Sequence, residues 1–157
     1  LRGEEFVTRK IIINLIKILR KNISCFELGN LYAKRDWGFA KEYVEAIWKI
    51  LQMKKPDDYI IATGKTYSIK DFINKATKYL EMDVKWVGSG LNEKLINKEN
   101  NKTIIKINPK FFRPAEVNTL TGDASKAKKK LKWEPKTNLD ELIKIMIDDE
   151  LKYYNDL

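Results

Sequence analysis

Apolar residues recur at helical spacing in three stretches of this chain, two further helices are expected toward its end, and short β-type runs fall between them. That alternation demands a mixed α/β fold and argues against a helical bundle or a β-sandwich. Phe6, Val7, Ile11, Leu15, Ile16, Ile18 and Leu19 predict an amphipathic helix over residues 5–20. Ala40, Tyr43, Val44, Ile47, Trp48 and Leu51 predict a second over 38–52. Ser68 and Asp71 form a capping-box pair ahead of the apolar stripe Phe72, Ile73, Ala76 and Leu80. A short helix is expected from Asp123, and a final one from about Asn138, where Asn138 and Glu141 suit an N-cap pair. Strands are expected over residues 24–28, 59–63, 84–87 and 103–107, with a turn at Gly88-Ser89-Gly90 and a polar, mobile loop over 91–102. No internal repeat is visible.

At 157 residues and 43% hydrophobic content the chain is the size of one ordinary globular domain. No apolar run approaches the roughly 20 residues a bilayer crossing requires. The first residues lack the basic and apolar regions of a signal peptide, so a soluble, intracellular protein is expected. Cys25 stands alone, which excludes an internal disulfide and a thiolate zinc cluster; it reads as a small apolar strand residue. With no histidine, Ser-His and Cys-His pairs, HExxH zinc sites and imidazole acid/base catalysis are all excluded. The Asn-x-Ser/Thr matches at Asn22 and Asn101 carry little weight in so Asn-rich a chain without a secretory signal.

A net charge of +9 raises the question of a polyanionic partner. The lysines are spread along the chain, and only Lys126, Lys128, Lys129, Lys130 and Lys132 cluster, just before Trp133. A solvated lysine surface is the plain reading, and a nucleic-acid groove is the alternative. Five arginines, at positions 2, 9, 20, 35 and 113, stand against 26 lysines. Because only the planar guanidinium grips phosphate or carboxylate in two places at once, each is a candidate ligand contact.

Three fingerprints fail. Thr63-Gly64-Lys65-Thr66 ends like a P-loop, but its first glycine position holds Tyr59. Gly88-Ser89-Gly90 opens like a dinucleotide motif, but Glu93 stands at the third glycine. No tyrosine is followed four positions later by the lysine that lowers a catalytic phenol's pKa. Trp37, Tyr43 and Trp48 are read as packing, with Tyr43 and Trp48 sharing a buried flank; Trp86 and Trp133 receive no functional role.

Several blocks in order, RGEEFVTRKI at 2–11, GNLYAKRDWGFAKEYV at 29–44, PDDYIIATG at 56–64, FFRPAEV at 111–117, GDASKA at 122–127 and LKWEP at 131–135, resemble the C-terminal part of GDP-mannose 4,6-dehydratases. These are members of the extended short-chain dehydrogenase/reductase class. The resemblance implies that residues 1–157 are a C-terminal sugar-nucleotide-binding lobe, with a strand and helix packing on an N-terminal NADP-binding Rossmann domain absent from this chain. It implies GDP-mannose as substrate, NADP as cofactor, a cytoplasmic homo-oligomer (dimer or tetramer), and no nucleic-acid or membrane partner. By resemblance Val7 and Lys10 face the nucleotide, Arg35 contacts the diphosphate, Arg113 with Glu116 holds phosphate and ribose, and Arg2 contacts NADP. No catalytic residue and no metal ligand is assigned. The complete enzyme is expected to make GDP-4-keto-6-deoxymannose, and this stretch alone to be inactive. Another sugar-nucleotide epimerase or dehydratase of the same class is the nearest alternative. The sequence departs from the family at Phe39, where a histidine is usual, and at Leu95, where glycine is frequent. The first is expected to alter a surface contact and the second a loop conformation.

Overall fold

The computed structural model describes residues 3, 5–112, 117 and 119–155. Helices α1 (Val7–Leu19), α3 (Ile69–Tyr79) and α5 (Leu139–Asn155) pack on one another and on a four-stranded sheet. The sheet's strands are β1 (Phe26–Leu28), β4 (Val84–Val87), β5 (Lys94–Asn97) and β6 (Thr103–Ile107), in the order β1-β6-β5-β4. β1 and β6 run parallel, with Phe26 opposite Ile105 and Leu28 opposite Ile107; the other pairs are antiparallel. A second, small sheet joins β2 (Lys34–Arg35) to β3 (Tyr67–Ser68) and β7 (Thr119–Leu120). Beside it α2 (Ala40–Leu51) meets α4 (Ser125–Leu131).

The main core is legible in the chemistry of α1, where Ile11, Ile12, Ile13, Leu15 and Ile16 are all buried. Burying one such side chain is worth ~1.5–3 kcal/mol. Phe72, Ile73 and Ala76 of α3 and Ile143 and Ile147 of α5 close over the same cluster. Both α1 and α3 end in Schellman turns whose left-handed residue is not glycine. Lys21 (φ 59°) and Glu81 (φ 53°) adopt it, while the Asn22 and Met82 amides return to the Lys17 and Thr77 carbonyls. The capping box at Ser68 and Asp71 forms with both reciprocal bonds, and so does the Asn138–Glu141 pair ahead of α5.

Several expectations fail. Residues 91–102 are not a mobile loop: a 3₁₀ turn at Gly90–Asn92 leads into β5, whose Leu95 and Ile96 are buried. A register shift between Leu95 and Ile96 breaks the two-residue period that a sequence reading relies on. Residues 59–63 form no strand; they run extended without a ladder and are held by side chains. Asp36 accepts from the Thr63 and Gly64 amides and from Thr63 Oγ1. Gly122 passes so close to Ala62 that a Cβ there would strike it. Cys25 falls just outside β1, half-buried, and burial pushes its thiol pKa up.

Both family departures sit deeper than a surface or loop change. Phe39 precedes α2 and packs against the main core. Leu95 is a fully buried strand residue opposite Trp86 and Ile105. Tyr43 does not share a buried flank with Trp48, which is 60% exposed; its ring instead meets Trp133 edge-on.

Candidate functional site

Where α1 crosses the end of β1, an open cleft of about 880 Å³ forms between the helix and the 3₁₀ turn Pro109–Phe111. Val7, Lys10 and Asn14 recur at three- and four-residue spacing, so one face of α1 presents all three to the cleft. The floor is Leu28, Gly29 and Asn30. Gly29 has no alternative, because a Cβ there would lie 2.5 Å from the Phe111 carbonyl oxygen. The backbone of the opposite wall therefore seats directly on the floor.

Asn108 builds that wall. Its amide donates to the Leu28 carbonyl, its Oδ1 accepts from Lys110 N at 2.9 Å, and its Nδ2 donates to Glu27 at 2.5 Å. The Asn108 bond, together with Lys106 at 3.0 Å, holds the Glu27 carboxyl below the usual carboxylate range. Lys10 reaches across the cleft and places its ammonium 4.6 Å from the Phe111 ring centre. Arg35 enters from β2, its Nη1 donating to the Val117 and Lys34 carbonyls at 2.7 and 2.8 Å. Lysines 17 and 110 add charge, against Glu5 as the acid on the rim.

The structure thus brings Val7, Lys10 and Arg35 to one cavity although they span 29 positions of sequence. Arg2, Arg113 and Glu116 lie outside the described residues. Phe112, immediately before that segment, lines the cleft, and Val117, immediately after it, is bonded to Arg35. Asn14, Asn30 and Phe111 were not singled out as site residues. Phe111 and Asn30 lay within family-like blocks, whereas nothing around Asn14 in the sequence signals a binding role.

A buried clamp fixes the segment after the floor. Glu93, 3% exposed, accepts from Tyr32 Oη at 2.7 Å and from Lys70 Nζ at 2.6 Å. Burial alone would raise its pKa, but the two donors outweigh it and leave the carboxyl below its ordinary value. Lys70 N also donates to the Leu31 carbonyl, so the start of α3 is tied to the cleft floor at two levels.

The lysine cluster on α4 is differently built. Lys126 pairs with Asp57 at 2.6 Å and Lys128 with Glu134 at 2.5 Å. Trp133 is buried, its Nε1 donating to the Glu42 carbonyl at 2.9 Å, and so offers no stacking face. Among the described residues no group of three His, Cys, Asp or Glu side chains is placed to hold a metal, and no helix is long and apolar enough to cross a membrane.

A family model described as GDP-mannose 4,6 dehydratase matches residues 1–146. The GDP-mannose 4,6 dehydratase of Drosophila melanogaster is 46% identical over 151 residues, covering 96% of this chain and 38% of that protein. The human GDP-mannose 4,6 dehydratase is 44% identical over the same length, covering 41% of it. The chain therefore spans about two fifths of the length of the relatives it matches. Among solved structures, RMD from Pseudomonas aeruginosa complexed with NADPH superposes with a TM-score of 0.71 at 14% identity, over 94% of this chain and 43% of that one. A Stenotrophomonas UDP-glucose-4-epimerase with bound NAD gives 0.71 at 11% identity, over the whole of this chain and 43% of its own. These likenesses show that the chain shares the α/β fold of the corresponding part of those two proteins.

Proposed function

The chain belongs to the GDP-mannose 4,6 dehydratase family, and from that premise we propose that it is the substrate-gripping lobe of such an enzyme. One observation carries the reading: Val7, Lys10 and Arg35 line a single cationic cleft. A diphosphate needs cations that offset about two negative charges, and each charge-assisted bond to it is worth ~1.5–3 kcal/mol. Lys10 and Arg35, joined by Arg113, supply them in this proposal; Glu116 accepts from the ribose hydroxyls. Holding the remote GDP handle fixes the hexose for reaction, so the lobe's contribution to rate is positioning.

For the whole protein we propose oxidation of GDP-mannose at C4, loss of water across C5 and C6, and hydride return to C6, with NADP as the hydride store. The described residues form no glycine-rich strand-to-helix turn of the kind that cradles a dinucleotide. In the same proposal NADP is held mostly by a domain outside residues 1–157, with Arg2 as this chain's contact. An N-terminal Rossmann domain, a homo-oligomer and a cytoplasmic location belong to the same proposal. Unaided dehydratase turnover is not expected of residues 1–157.

Calorimetric titration of GDP-mannose into the chain and into Lys10→Ala and Arg35→Lys tests the grip. Both variants are expected to bind more weakly, the second because an ammonium cannot reproduce the guanidinium fork. Full retention of affinity in both would refute the assignment. Duplex-DNA binding that falls steeply with salt and ignores GDP-mannose would instead favour a nucleic-acid module. Product analysis of the whole enzyme separates a dehydratase from an epimerase.

A further inference from the structure

Glu27 lies on β1, just before the Leu28–Asn30 floor, and does not itself line the cleft. Its carboxylate oxygens are divided between separate partners: Oε1 accepts from Lys106 Nζ at 3.0 Å and Oε2 from Asn108 Nδ2 at 2.5 Å. Lys106 is its neighbour across the parallel β1–β6 pair, so that bond stays within the sheet. The bond to Asn108 leaves the sheet and enters the wall of the cleft.

Asn108 has every polar group engaged. Its amide donates to the Leu28 carbonyl at 2.8 Å, its carbonyl accepts from the Phe111 amide at 3.0 Å, and its Oδ1 accepts from the Lys110 amide at 2.9 Å. Only the oxygen of a carboxamide accepts, so the NH2 end faces Glu27, and a flipped carboxamide would lose both side-chain bonds at once. The turn Pro109–Phe111 is thus capped by a side chain that a carboxylate from another strand holds in place. That turn sets the Phe111 carbonyl over Gly29 and the Phe111 ring against the Lys10 ammonium.

We propose that Glu27 is a positioning residue for the cleft: by holding the Asn108 carboxamide it presets the Pro109–Phe111 wall that Lys10 faces, and so raises affinity for a nucleoside diphosphate without touching it. The inference rests on the nucleotide reading of the cleft. Ordering a wall at the moment of binding is subtracted from affinity, and a wall fixed beforehand avoids that loss. Electrostatics alone predicts the opposite sign. Lys10 is near enough to help lower the Glu27 pKa, so removing this negative charge should by itself favour an anion in the cleft.

Titration of GDP into the chain and its variants, each held well below its own unfolding midpoint, tests the assignment. Glu27→Ala removes the acceptor and should weaken GDP binding about tenfold, the equivalent of one hydrogen bond. Glu27→Gln keeps an oxygen for Asn108 and should recover most of that loss. Asn108→Asp keeps the cap on the Lys110 amide but sets two carboxylates face to face, and should also weaken GDP about tenfold. Adding Glu27→Gln, whose NH2 donates to the new carboxylate, should bring binding back to within about threefold of the unaltered chain. This swapped pair keeps the test decisive even where Glu27→Ala does not fold. Tighter GDP binding in Glu27→Ala would make Glu27 a counter-charge only and overturn the proposal. Lower thermal stability with unchanged GDP affinity in Glu27→Ala and Asn108→Asp, alongside loss of binding in Lys10→Ala, would overturn the positioning role while leaving the diphosphate grip intact. An Asn108→Asp loss that Glu27→Gln does not repair would overturn it too. Absence of any GDP binding by the unaltered chain would refute the grip itself, and the positioning role with it.

Discussion

Replacing Glu93 by glutamine tests whether the clamp beside the cleft floor has the energetic role its geometry implies. The carboxylate accepts from Tyr32 Oη and Lys70 Nζ, and the Lys70 ammonium also lies 5.5 Å from the Tyr32 ring and 5.0 Å from that of Trp86. Glutamine retains one acceptor oxygen, so one donor keeps a partner and the other faces an NH2 group. A lost charge-assisted bond costs ~1.5–3 kcal/mol when buried. The Lys70 side chain is 26% exposed and can turn partly to water, which lowers the expected loss to ~1–2 kcal/mol. For a chain of this size that corresponds to a fall in Tm of about 2–8 °C.

The pH dependence supplies a second reading. The folded Glu93 carboxyl titrates below its unfolded value, so its contribution is fully present above the unfolded pKa and is lost as pH falls through the folded one. The gap between Glu93→Gln and the unaltered chain, followed by thermal unfolding from pH 7 down to below 4, should therefore narrow on acidification. A double-mutant cycle with Lys70→Met should show coupling of about 1 kcal/mol. No gap at pH 7, or a gap of constant size across the range, would refute this reasoning.

Two further perturbations probe other parts of the fold. Gly29→Ala forces a methyl toward the Phe111 carbonyl oxygen, a backbone atom that cannot swing aside, so a loss of ~1–3 kcal/mol in urea unfolding is expected, together with weaker GDP binding. Retained stability would show that the wall shifts freely. Trp133→Ala removes a buried ring and strips the Glu42 carbonyl of its donor, and should cost ~3–5 kcal/mol, whereas Trp133→Phe should recover part of that loss through its edge contact with Tyr43. Equal losses in both would argue against the ring contact.

Local chemistry decided a good deal of this protein in advance. The isoleucine-rich run of α1, the reciprocal Ser68–Asp71 and Asn138–Glu141 caps, and the strand at β6 were all legible, because periodicity and capping depend on residues within a turn or two of each other. The cationic character of Lys10 and Arg35 was equally plain. What only the tertiary structure decided was pairing between distant segments. Leu95 and Ile96 become a central strand because β4 and β6 offer backbone partners on either side, while residues 59–63, with equally strand-like side chains, lie beside no ladder and are held by Asp36 instead. The orientation of the Asn108 carboxamide is decided in the same way, because the Glu27 carboxylate lies beside its NH2 end only once the chain has folded.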